Sequence, residues 1–492
     1  MTARFWIAIA CLASLPCTSI ADSVVTYHNS LQRSGAYTIP NLTLAAAANV
    51  KSDSTFQATV SGHIYAQPLY WKPKDATQGL VIVATESNIV YALDDTTGAI
   101  VWQKQLAAAE PLNQLPCGNI DPMGITGTPV IDPAAGVLYL DAMTKTANGA
   151  RHMVYALSLT DGSIVPNWPL DMQAALATKG VTFDSSIQGE RSALLLFKNS
   201  LYVNYGGHYG DCGSYHGTVV QLQTQPPQVL ASWQTRASGG GIWAQGGIAG
   251  DGNALFITTG NTFGATQWSD GEAIIKLKPG LHQSSKSNTY FTPSNWKDLD
   301  NSDQDLGGTE ALPLDVTVPH GKKAKRVIAF GKDGNAYLVD RTKMGGIGGA
   351  LAITNVSNSR IITAPAVYQT KSATMVAVSN FGNNTCSGSN VSMLNIAASG
   401  SNPIGFAWCA AYNGAGAPIV TTTDGKANPI VWVVGAEGDN ELHGFNATNG
   451  QVVFSGSGTA MSGLHHFVTI LATPQHFYVA ADNKVYSFDF GQ

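Results

Sequence analysis

Two residue types near the middle of the chain could form a binding site. Trp243 lies in the glycine-rich stretch GIWAQGG, and Asn261 follows a glycine at the end of the apolar run ALFITTGN. An indole offers a large polarisable face to a flat ligand, and an amide oxygen is a ligand that a hard metal ion accepts. The alternative is ordinary packing of a tryptophan and a turn at the end of a strand. These types and their order predict a floor for a flat ligand beside a metal ligand.

Further along the chain, acidic and basic residues could complete such a site. Asp303 and Asp305 lie in DLDNSDQDLGG (Asp298–Gly308), and Lys332 lies in FGKDGNAYLVDR (Phe330–Arg341). A carboxylate serves as a general base and as a hard metal ligand, and a lysine stabilises negative charge that develops on an oxygen. The alternatives are an acidic surface loop, which the two further aspartates of that stretch favour, and a solvated turn lysine.

The elements that would position these residues come from an internal repeat. The segment VYALDDTTGAIVWQ (Val90–Gln103) recurs as VYALSLTDGSIVPNW (Val154–Trp168), and weaker copies follow. Self-similarity at such intervals is typical of repeat architectures. The eight copies begin at Val90, Val154, Val219, Ile274, Ala336, Val391, Leu442 and Val485.

Each copy has the pattern of a strand, a glycine turn and a second strand, and most follow another apolar run. Four-stranded antiparallel units repeated radially form a β-propeller. We therefore predict an all-β fold with eight blades, or seven if the Ile274 copy is irregular. The segment STFQATV (Ser54–Val60) alternates apolar and polar residues. We expect it to complete the last blade and close the ring, so that no sheet edge stays open.

Composition restricts the classes of function. The 492 residues carry a net charge of -5 with no large basic cluster, which argues against a nucleic-acid partner. Residues 1–21 combine Arg4, an apolar stretch and small residues before Asp22, the pattern of a signal peptide. No other stretch is apolar for the about 18 residues that a transmembrane helix needs. We expect a single exported domain over residues 22–492, secreted or periplasmic.

The cysteines support an oxidising compartment. Four of them lie outside the predicted leader, and an even count in an exported chain favours disulfides, although four cysteines allow three pairings. Cys386 and Cys409 lie in successive strand-like segments and are the favoured pair. Exclusion then pairs Cys117 with Cys212.

The Tyr-Ala-Leu-Asp…Thr-Gly…Trp repeat resembles that of the quinoprotein alcohol dehydrogenases. The resemblance implies an eight-bladed propeller that binds pyrroloquinoline quinone (PQQ) and calcium on its central axis. Tyr27–Gly35 (YHNSLQRSG), Asp298–Gly308 and Phe330–Arg341 are similar to a broader group of exported PQQ-like propeller proteins. The resemblance extends over essentially the whole of residues 22–492.

The resemblance also implies roles for individual residues. Trp243 matches the tryptophan under the quinone, Asn261 the amide that binds calcium, and Lys332 a lysine that contacts the quinone carbonyls. If the glycines of this stretch are aligned with those of the family's motif, Asp305 corresponds to the catalytic base. If the Asp-x-Asp pattern is aligned instead, Asp303 corresponds to the base, and Asp305 corresponds to the extra carboxylate of relatives that use a lanthanide.

Four positions depart from the family pattern. The vicinal cysteine pair of the family is replaced by Cys117-Gly118, and its quinone-binding arginine by Met123. Its calcium-binding glutamate is replaced by His208, and a second glutamate by Tyr65. The residues that could compensate are Arg191, here a candidate cofactor ligand, Asp211 and Glu310.

Two hypotheses from different classes follow. The first is a PQQ- and calcium-dependent (or lanthanide-dependent) dehydrogenase that oxidises an alcohol or sugar hydroxyl. Because the sequence has no Cys-x-x-Cys-His haem motif, its electrons would pass to a separate acceptor. The second is a non-catalytic propeller that binds a glycan, a peptide or a protein. Convergence of Trp243, Asn261, Asp303 or Asp305, and Lys332 on one pocket would favour the first.

Overall fold

Eight β-sheets follow one another along the chain in the computed structural model, which describes residues 23–284, 286–318, 322–370, 372–456, 458 and 460–490. The expected signal peptide, residues 1–21, lies outside the described residues. Seven of the sheets have a four-stranded antiparallel core whose strands succeed one another in sequence order, and the eighth combines three consecutive strands with strands from the N-terminal segment. The sheets are the blades of a β-propeller, and the first strand of each is the inner strand.

The strands are given blade by blade, from the inner to the outer. Blades 1 to 4 comprise Leu69–Trp71, Leu80–Ala84, Ile89–Asp94 and Ile100–Gln105; Val130–Asp132, Val137–Thr146, Gly149–Ser158 and Leu170–Asp171; Leu195–Phe197, Ser200–Gly207, Thr218–Thr224 and Pro227–Gln234; and Ala249–Gly250, Leu255–Thr259, Ala273–Leu277 and Tyr290–Thr292. Blades 5 to 7 comprise Leu312–Thr317, Lys323–Phe330, Asn335–Asp340 and Ala352–Asn355; Ala366–Gln369, Thr374–Ser379, Val391–Ile396 and Ile404–Ala410; and Ile419–Thr422, Ile430–Val434, Leu442–Asn446 and Val452–Ser455. Blade 8 contributes Ile470–Ala472, His476–Ala481 and Lys484–Asp489.

Short elements supplement the blades. Strands Gln188–Gly189 and Gly346–Ile347 are added to blades 3 and 4. The helical segments are α-helices Leu44–Ala47, Met172–Ala177 and Trp296–Ser302 and 3₁₀-helices Tyr27–Asn29, Leu112–Gln114 and Leu306–Gly308. Among the described residues, no helix is both long and apolar enough to cross a membrane.

The third strand of every blade is one copy of the sequence repeat. The Ile274 copy, whose regularity decided between seven and eight blades, lies in Ala273–Leu277 and pairs on both sides. The prediction of eight blades is therefore confirmed.

The tryptophan and the glycine turn of the repeat join neighbouring blades. Trp102, on the outer strand of blade 1, donates its indole N–H to the carbonyl of Leu159 in blade 2 at 3.0 Å. A Cβ on Gly162 would lie 2.7 Å from the Trp102 ring, and this glycine has a φ of +72°. The turn needs a glycine because the backbone is left-handed and the indole packs directly on it.

The ring is closed by the N-terminal segment, as predicted. Lys51–Ser52 and Ala58–Thr59 both pair antiparallel with the third strand of blade 8, with Ala58 opposite Val485. Phe56 packs between them against Tyr478, with ring centroids 5.3 Å apart. The outer position of blade 8 is thus filled from the other end of the chain.

The segment Val24–Thr38 fills the centre of the ring, and we call it the axial plug. It hydrogen-bonds or pairs with the inner strands of five blades, at Tyr70, Ile131, Gly250, Val367 and Val420–Thr422. Arg33 of the plug is fully buried. Its guanidinium donates to the carbonyls of Leu194 at 2.9 Å and Ile248 at 3.0 Å. The YHNSLQRSG stretch therefore has a structural role that its composition did not reveal.

The strand order places the connections into the blades and the turns between second and third strands on one face. The inner strand begins where the connection from the preceding blade arrives. Since alternate strands reverse direction, the turn between the second and third strands returns to that same face. We call this the upper face. Both predicted disulfides, Cys117–Cys212 and Cys386–Cys409, are present.

Candidate functional site

Five of the six predicted site residues lie together on the upper face of blades 4 and 5. Trp243 lies in the connection into blade 4, and Asn261 follows the second strand of that blade. Asp303 and Asp305 lie in the connection into blade 5, and Lys332 follows the second strand of blade 5. Loops that are distant in sequence thus meet at the boundary between two blades.

Asp305 is the centre of this cluster and is 3% exposed. Its Oδ1 accepts a hydrogen bond from the backbone N–H of Asn261 at 2.8 Å. Its Oδ2 accepts from Trp243 Nε1 at 3.1 Å and lies 2.6 Å from Lys332 Nζ. Three donors, one of them charged, fix the orientation of this carboxylate.

Asp303 lies on the rim and has a side chain that is 68% exposed. It ends the helix Trp296–Ser302 in a left-handed conformation with a φ of +53°. Its Oδ1 lies 2.7 Å from Lys332 Nζ, so that the lysine bridges both carboxylates. Burial opposes the charge on Lys332, but Asp305 and Asp303 outweigh it and raise the pKa of the ammonium.

The indole of Trp243 is half-buried and lies under the lysine. The distance from Lys332 Nζ to the ring centroid is 5.2 Å, a cation–π contact. A Cβ on Gly260 would lie 2.8 Å from Asp305 Oδ1 and 3.2 Å from Trp243 Nε1. The absence of a side chain at this position lets the indole and the carboxylate meet.

Asn261 contributes to the site in a way that the sequence did not indicate. The interaction with Asp305 comes from its backbone N–H, whereas the prediction concerned its side-chain amide. The residue is half-buried at the end of the strand. Its side chain stays a predicted metal ligand.

Glu272 belongs to the site and was missed by the sequence analysis. It is fully buried, and its Oε2 accepts a hydrogen bond from the backbone N–H of Leu306 at 2.6 Å. Its Oε1 has no hydrogen-bond partner among the described residues. Burial and the charge of Asp305 raise its pKa well above the usual value. The available signal was a glutamate directly before the third strand, on the same face as Asn261.

Two further carboxylates surround the cluster. Asp300 accepts hydrogen bonds from the backbone and hydroxyl of Thr262, and Asp211 accepts from the Tyr215 hydroxyl at 2.7 Å. Burial and the charge of Asp305 raise the pKa of both aspartates.

The charges at this site do not balance. The charge of Lys332 interacts with Asp211, Asp303, Asp305 and Glu272, and Asp300 interacts with Asp305. A surplus of carboxyl groups over ammonium groups, and the oxygen donors that they offer, fit a hard cation such as calcium. The unpartnered Glu272 Oε1 is a further oxygen for such an ion.

The disulfide Cys117–Cys212 lies next to Asp211. It joins the connection into blade 2 with the upper turn of blade 3. The vicinal cysteine pair of the family pattern is missing, yet a disulfide borders a residue whose charge interacts with Asp305.

The positions where the family pattern has a calcium-binding glutamate and a quinone-binding arginine hold uncharged side chains in this protein. His208 is 3% exposed, and neither ring nitrogen has a hydrogen-bond partner in the part of the chain that the structure describes. Burial, with the charges of His152 and Arg191, lowers its pKa to about 3, so that the ring is neutral. Met123 is buried in an apolar cluster with Leu115 and Ile120.

Arg191, the sixth predicted residue, contacts a different group. Its guanidinium carbon lies 5.4 Å from the ring centroid of Phe467, and its charge interacts with Tyr65 and Glu86. These residues come from the connections into blades 1, 3 and 8 and from the upper turn of blade 1. Its assignment to the cofactor stays a prediction.

Glu310 lies between the floor of the site and the axial plug. A Cβ on Gly246, three residues after Trp243, would lie 2.4 Å from its carboxyl carbon, and its charge interacts with Arg33. Burial raises its pKa to about 7. Glu310 therefore faces the plug and is separate from the Asp305 cluster.

Comparisons with known proteins give a likeness of structure only. No family model matches the chain, and no curated protein sequence matches it. The quinohemoprotein alcohol dehydrogenase from Comamonas testosteroni is 13% identical, with a TM-score of 0.65 over 96% of this chain and 81% of its own. A europium-containing methanol dehydrogenase is 14% identical, with a TM-score of 0.61 over 94% of this chain and 89% of its own.

BamB from Moraxella catarrhalis is also similar, at 15% identity and a TM-score of 0.53 over 89% of this chain and 99% of its own. At such identities a structural likeness carries the fold and leaves the activity open. The chain has the eight-bladed β-propeller fold of the quinoprotein alcohol dehydrogenases.

Proposed function

We propose that this protein is a PQQ- and calcium-dependent dehydrogenase that oxidises the hydroxyl of an alcohol or a sugar. The convergence of Trp243, Asn261, Asp303, Asp305 and Lys332 on one spot carries the proposal. Packing alone does not require an indole, an asparagine, two carboxylates and a lysine from four separate loops to meet there.

Trp243 and Lys332 would bind and orient the quinone. The half-buried indole offers a flat face, and the ammonium lies over that face, where it can donate to carbonyl oxygens. Bound there, the quinone would supply a two-electron acceptor for hydride, and calcium would supply a Lewis acid.

The metal would be held by oxygen atoms at the blade boundary. The donors are the side chains of Asn261, Asp303 and Asp305 and the unpartnered Oε1 of Glu272. A divalent ion beside them would offset the surplus of negative charge around Lys332. Such an ion would also favour the ionised form of Glu272.

We assign the catalytic base to Asp303 and a positioning role to Asp305. The oxygens of Asp305 are occupied by three donors, and its bond to the indole N–H puts it at the edge of the floor. Asp303 has one ionic contact and an exposed side chain, so it has lone pairs free to accept a hydroxyl proton. The alternative is that Asp305 is the base and Asp303 the positioning residue. The variants Asp303→Asn and Asp305→Asn distinguish the two assignments.

Export to the periplasm or the medium belongs to the same proposal. Two disulfides fit an oxidising compartment, and the predicted signal peptide agrees with them. The electrons would pass to a separate acceptor.

A non-catalytic propeller that binds a glycan, a peptide or a protein is the second candidate. Met123 and the neutral His208 favour it, because they stand where the dehydrogenase pattern has an arginine and a glutamate. Because the arginine and the glutamate are missing, a cofactor with three carboxylates and its metal would have two fewer charged partners.

Titration of the protein comprising residues 22–492 with PQQ and calcium tests the proposal. Tryptophan fluorescence reports binding, and dye reduction with a panel of alcohols and sugars reports turnover. Trp243→Ala should abolish both signals, whereas Trp71→Phe, which removes another of the nine indoles of residues 22–492, should leave both unchanged. Absence of saturable quinone binding would reject the dehydrogenase and leave the second candidate.

A further inference from the structure

A second group of potential metal ligands lies on the upper face where the ring closes. His63 follows the closing strand Ala58–Thr59, His465 lies in the connection into blade 8, and Asp482 lies in the upper turn of blade 8. In an eight-bladed ring, the boundary between blades 8 and 1 lies opposite that between blades 4 and 5. This group is therefore separate from the Asp305 cluster.

The ligand atoms of the three residues converge. His465 Nε2 lies 2.8 Å from Asp482 Oδ1, and His63 Nδ1 lies 3.0 Å from Asp482 Oδ2. All three ligand atoms lie within 4.8 Å of one another. Ligands about 2.0–2.1 Å from a tetrahedral zinc are about 3.3 Å apart, so that small side-chain rotations would complete the geometry.

The surroundings of His63 favour a role as a metal ligand over a simple ion pair with Asp482. Its Nδ1 is buried close to Asp482, yet it makes no hydrogen bond within the described residues. An imidazole that directs its lone pair at an ion has this relationship to a neighbouring carboxylate, because neither group donates to the other. His465 Nε2 and Asp482 Oδ1 are hydrogen-bonded to each other, and an ion would replace that bond. Two imidazole nitrogens and one carboxylate oxygen suit zinc and similar transition ions better than calcium.

Backbone hydrogen bonds hold two of the three ligand-bearing residues in place, and ring stacking holds the third. His63 is fixed through its carbonyl, which accepts from the N–H of Glu86 at 3.0 Å. Asp482 is fixed through its N–H, which donates to the carbonyl of Gly463, and the ring of Tyr65 stacks on His465 with centroids 4.2 Å apart. The site is preorganised, which lowers the entropic cost of binding an ion.

We propose that His63, His465 and Asp482 bind a zinc-class transition-metal ion that fastens the ring closure. His63 comes from the N-terminal closing segment, and the other two ligands come from blade 8, so the ion would cross-link the two ends of the ring. The side chains are 43%, 22% and 21% exposed, which leaves a coordination position open to solvent. The site does not depend on the proposed dehydrogenase activity.

Metal titration of the chelator-treated full-length protein tests this proposal. Calorimetry with Zn²⁺ should give one equivalent that calcium does not displace. Co²⁺ should give visible d–d absorption that Zn²⁺ bleaches. His465→Ala and His63→Ala should each weaken binding at least tenfold and remove the zinc-dependent rise of the melting temperature.

His476→Ala is the matched control. His476 also lies in blade 8 near an aspartate, with Nε2 3.8 Å from Asp53 Oδ2, but outside the cluster. It should leave zinc affinity unchanged. If His465→Ala fails to fold, Asp482→Asn keeps the size of the side chain and should still weaken binding tenfold. Equal zinc affinity in the wild type and a folded cluster variant, or binding without a rise of the melting temperature, would overturn the proposal.

Discussion

Lys332 and Asp305 are joined twice, by side chain and by backbone. Lys332 Nζ lies 2.6 Å from Asp305 Oδ2, and the Lys332 N–H donates to the Asp305 carbonyl at 2.8 Å. The connection into blade 5 and the upper turn of that blade are thereby fixed relative to each other. A cation held in this way over an indole is preorganised for an electron-rich ligand.

Asp305→Asn should destabilise the protein far more than Asp303→Asn. The asparagine cannot accept from the Asn261 N–H, Trp243 Nε1 and Lys332 Nζ with the same geometry, and the ammonium loses its buried partner. We expect a loss of ~3 kcal/mol in the free energy of unfolding. Asp303→Asn, at an exposed ion pair, should change it by less than ~1 kcal/mol. Urea denaturation measures both, and equal effects would contradict the central role of Asp305.

The same pair of variants separates the two assignments of the base. With PQQ and calcium bound, Asp303→Asn should lose at least ~100-fold in the rate of dye reduction while keeping its stability. Retained turnover in Asp303→Asn, with loss in a folded Asp305→Asn, would exchange the two roles.

The fold was predictable because each repeat contains its own local signals. Val90–Gln103 specifies a strand, a turn and a partner strand without reference to distant residues, and its glycine turn and tryptophan also specify how blades dock. The candidate site residues could be recognised by their type and their place in loops, as for Trp243 and Lys332, and their roles stay predictions. The boundary between blades 4 and 5 brings them together.

What escaped prediction depends on contacts across the ring. The burial of Arg33 follows from its position in the axial plug, where its guanidinium reaches carbonyls just before the inner strands of blades 3 and 4. The convergence of His63 with Asp482 exists only because the chain ends pair. Asn261 binds Asp305 through a backbone group, and such a choice between main chain and side chain leaves no trace in residue types.

Gly260→Ala should disrupt the floor of the site. The added Cβ would meet Asp305 Oδ1 at 2.8 Å and Trp243 Nε1 at 3.2 Å, so that the indole or the carboxylate must move. We expect a cost of ~1–3 kcal/mol and a shifted tryptophan emission. Gly405→Ala, where a Cβ meets nothing within 4 Å, is the control and should change neither. Unchanged emission in Gly260→Ala would show that the floor tolerates the methyl group.

Glu310 should make the stability fall as the pH rises from about 4.5 to about 7. Burial raises its pKa from 4.5 to about 7 in the folded protein, so in this range the folded state binds more protons than the unfolded state. Glu310→Gln has no carboxyl group to ionise at this position, so its stability does not fall for this reason. The variant should match the wild type near pH 4.5 and exceed it by up to ~3 kcal/mol above pH 7.5. Thermal melting across this range measures the difference, and a gain confined to acidic pH would contradict the assignment.

Arg33 and Glu310 should be energetically coupled through the core of the ring. Arg33→Met leaves the carbonyls of Leu194 and Ile248 without their donor and removes the cation that favours ionised Glu310. We expect the single variant to lose ~3–5 kcal/mol at neutral pH. The loss should be smaller by ~1–2 kcal/mol when Arg33→Met is introduced into Glu310→Gln, because the neutral amide has no charge left to compensate. Urea denaturation of the two single variants and the double variant gives this coupling directly. Additive losses would mean that Arg33 acts only through its hydrogen bonds to Leu194 and Ile248, and that the charge of Glu310 is balanced elsewhere.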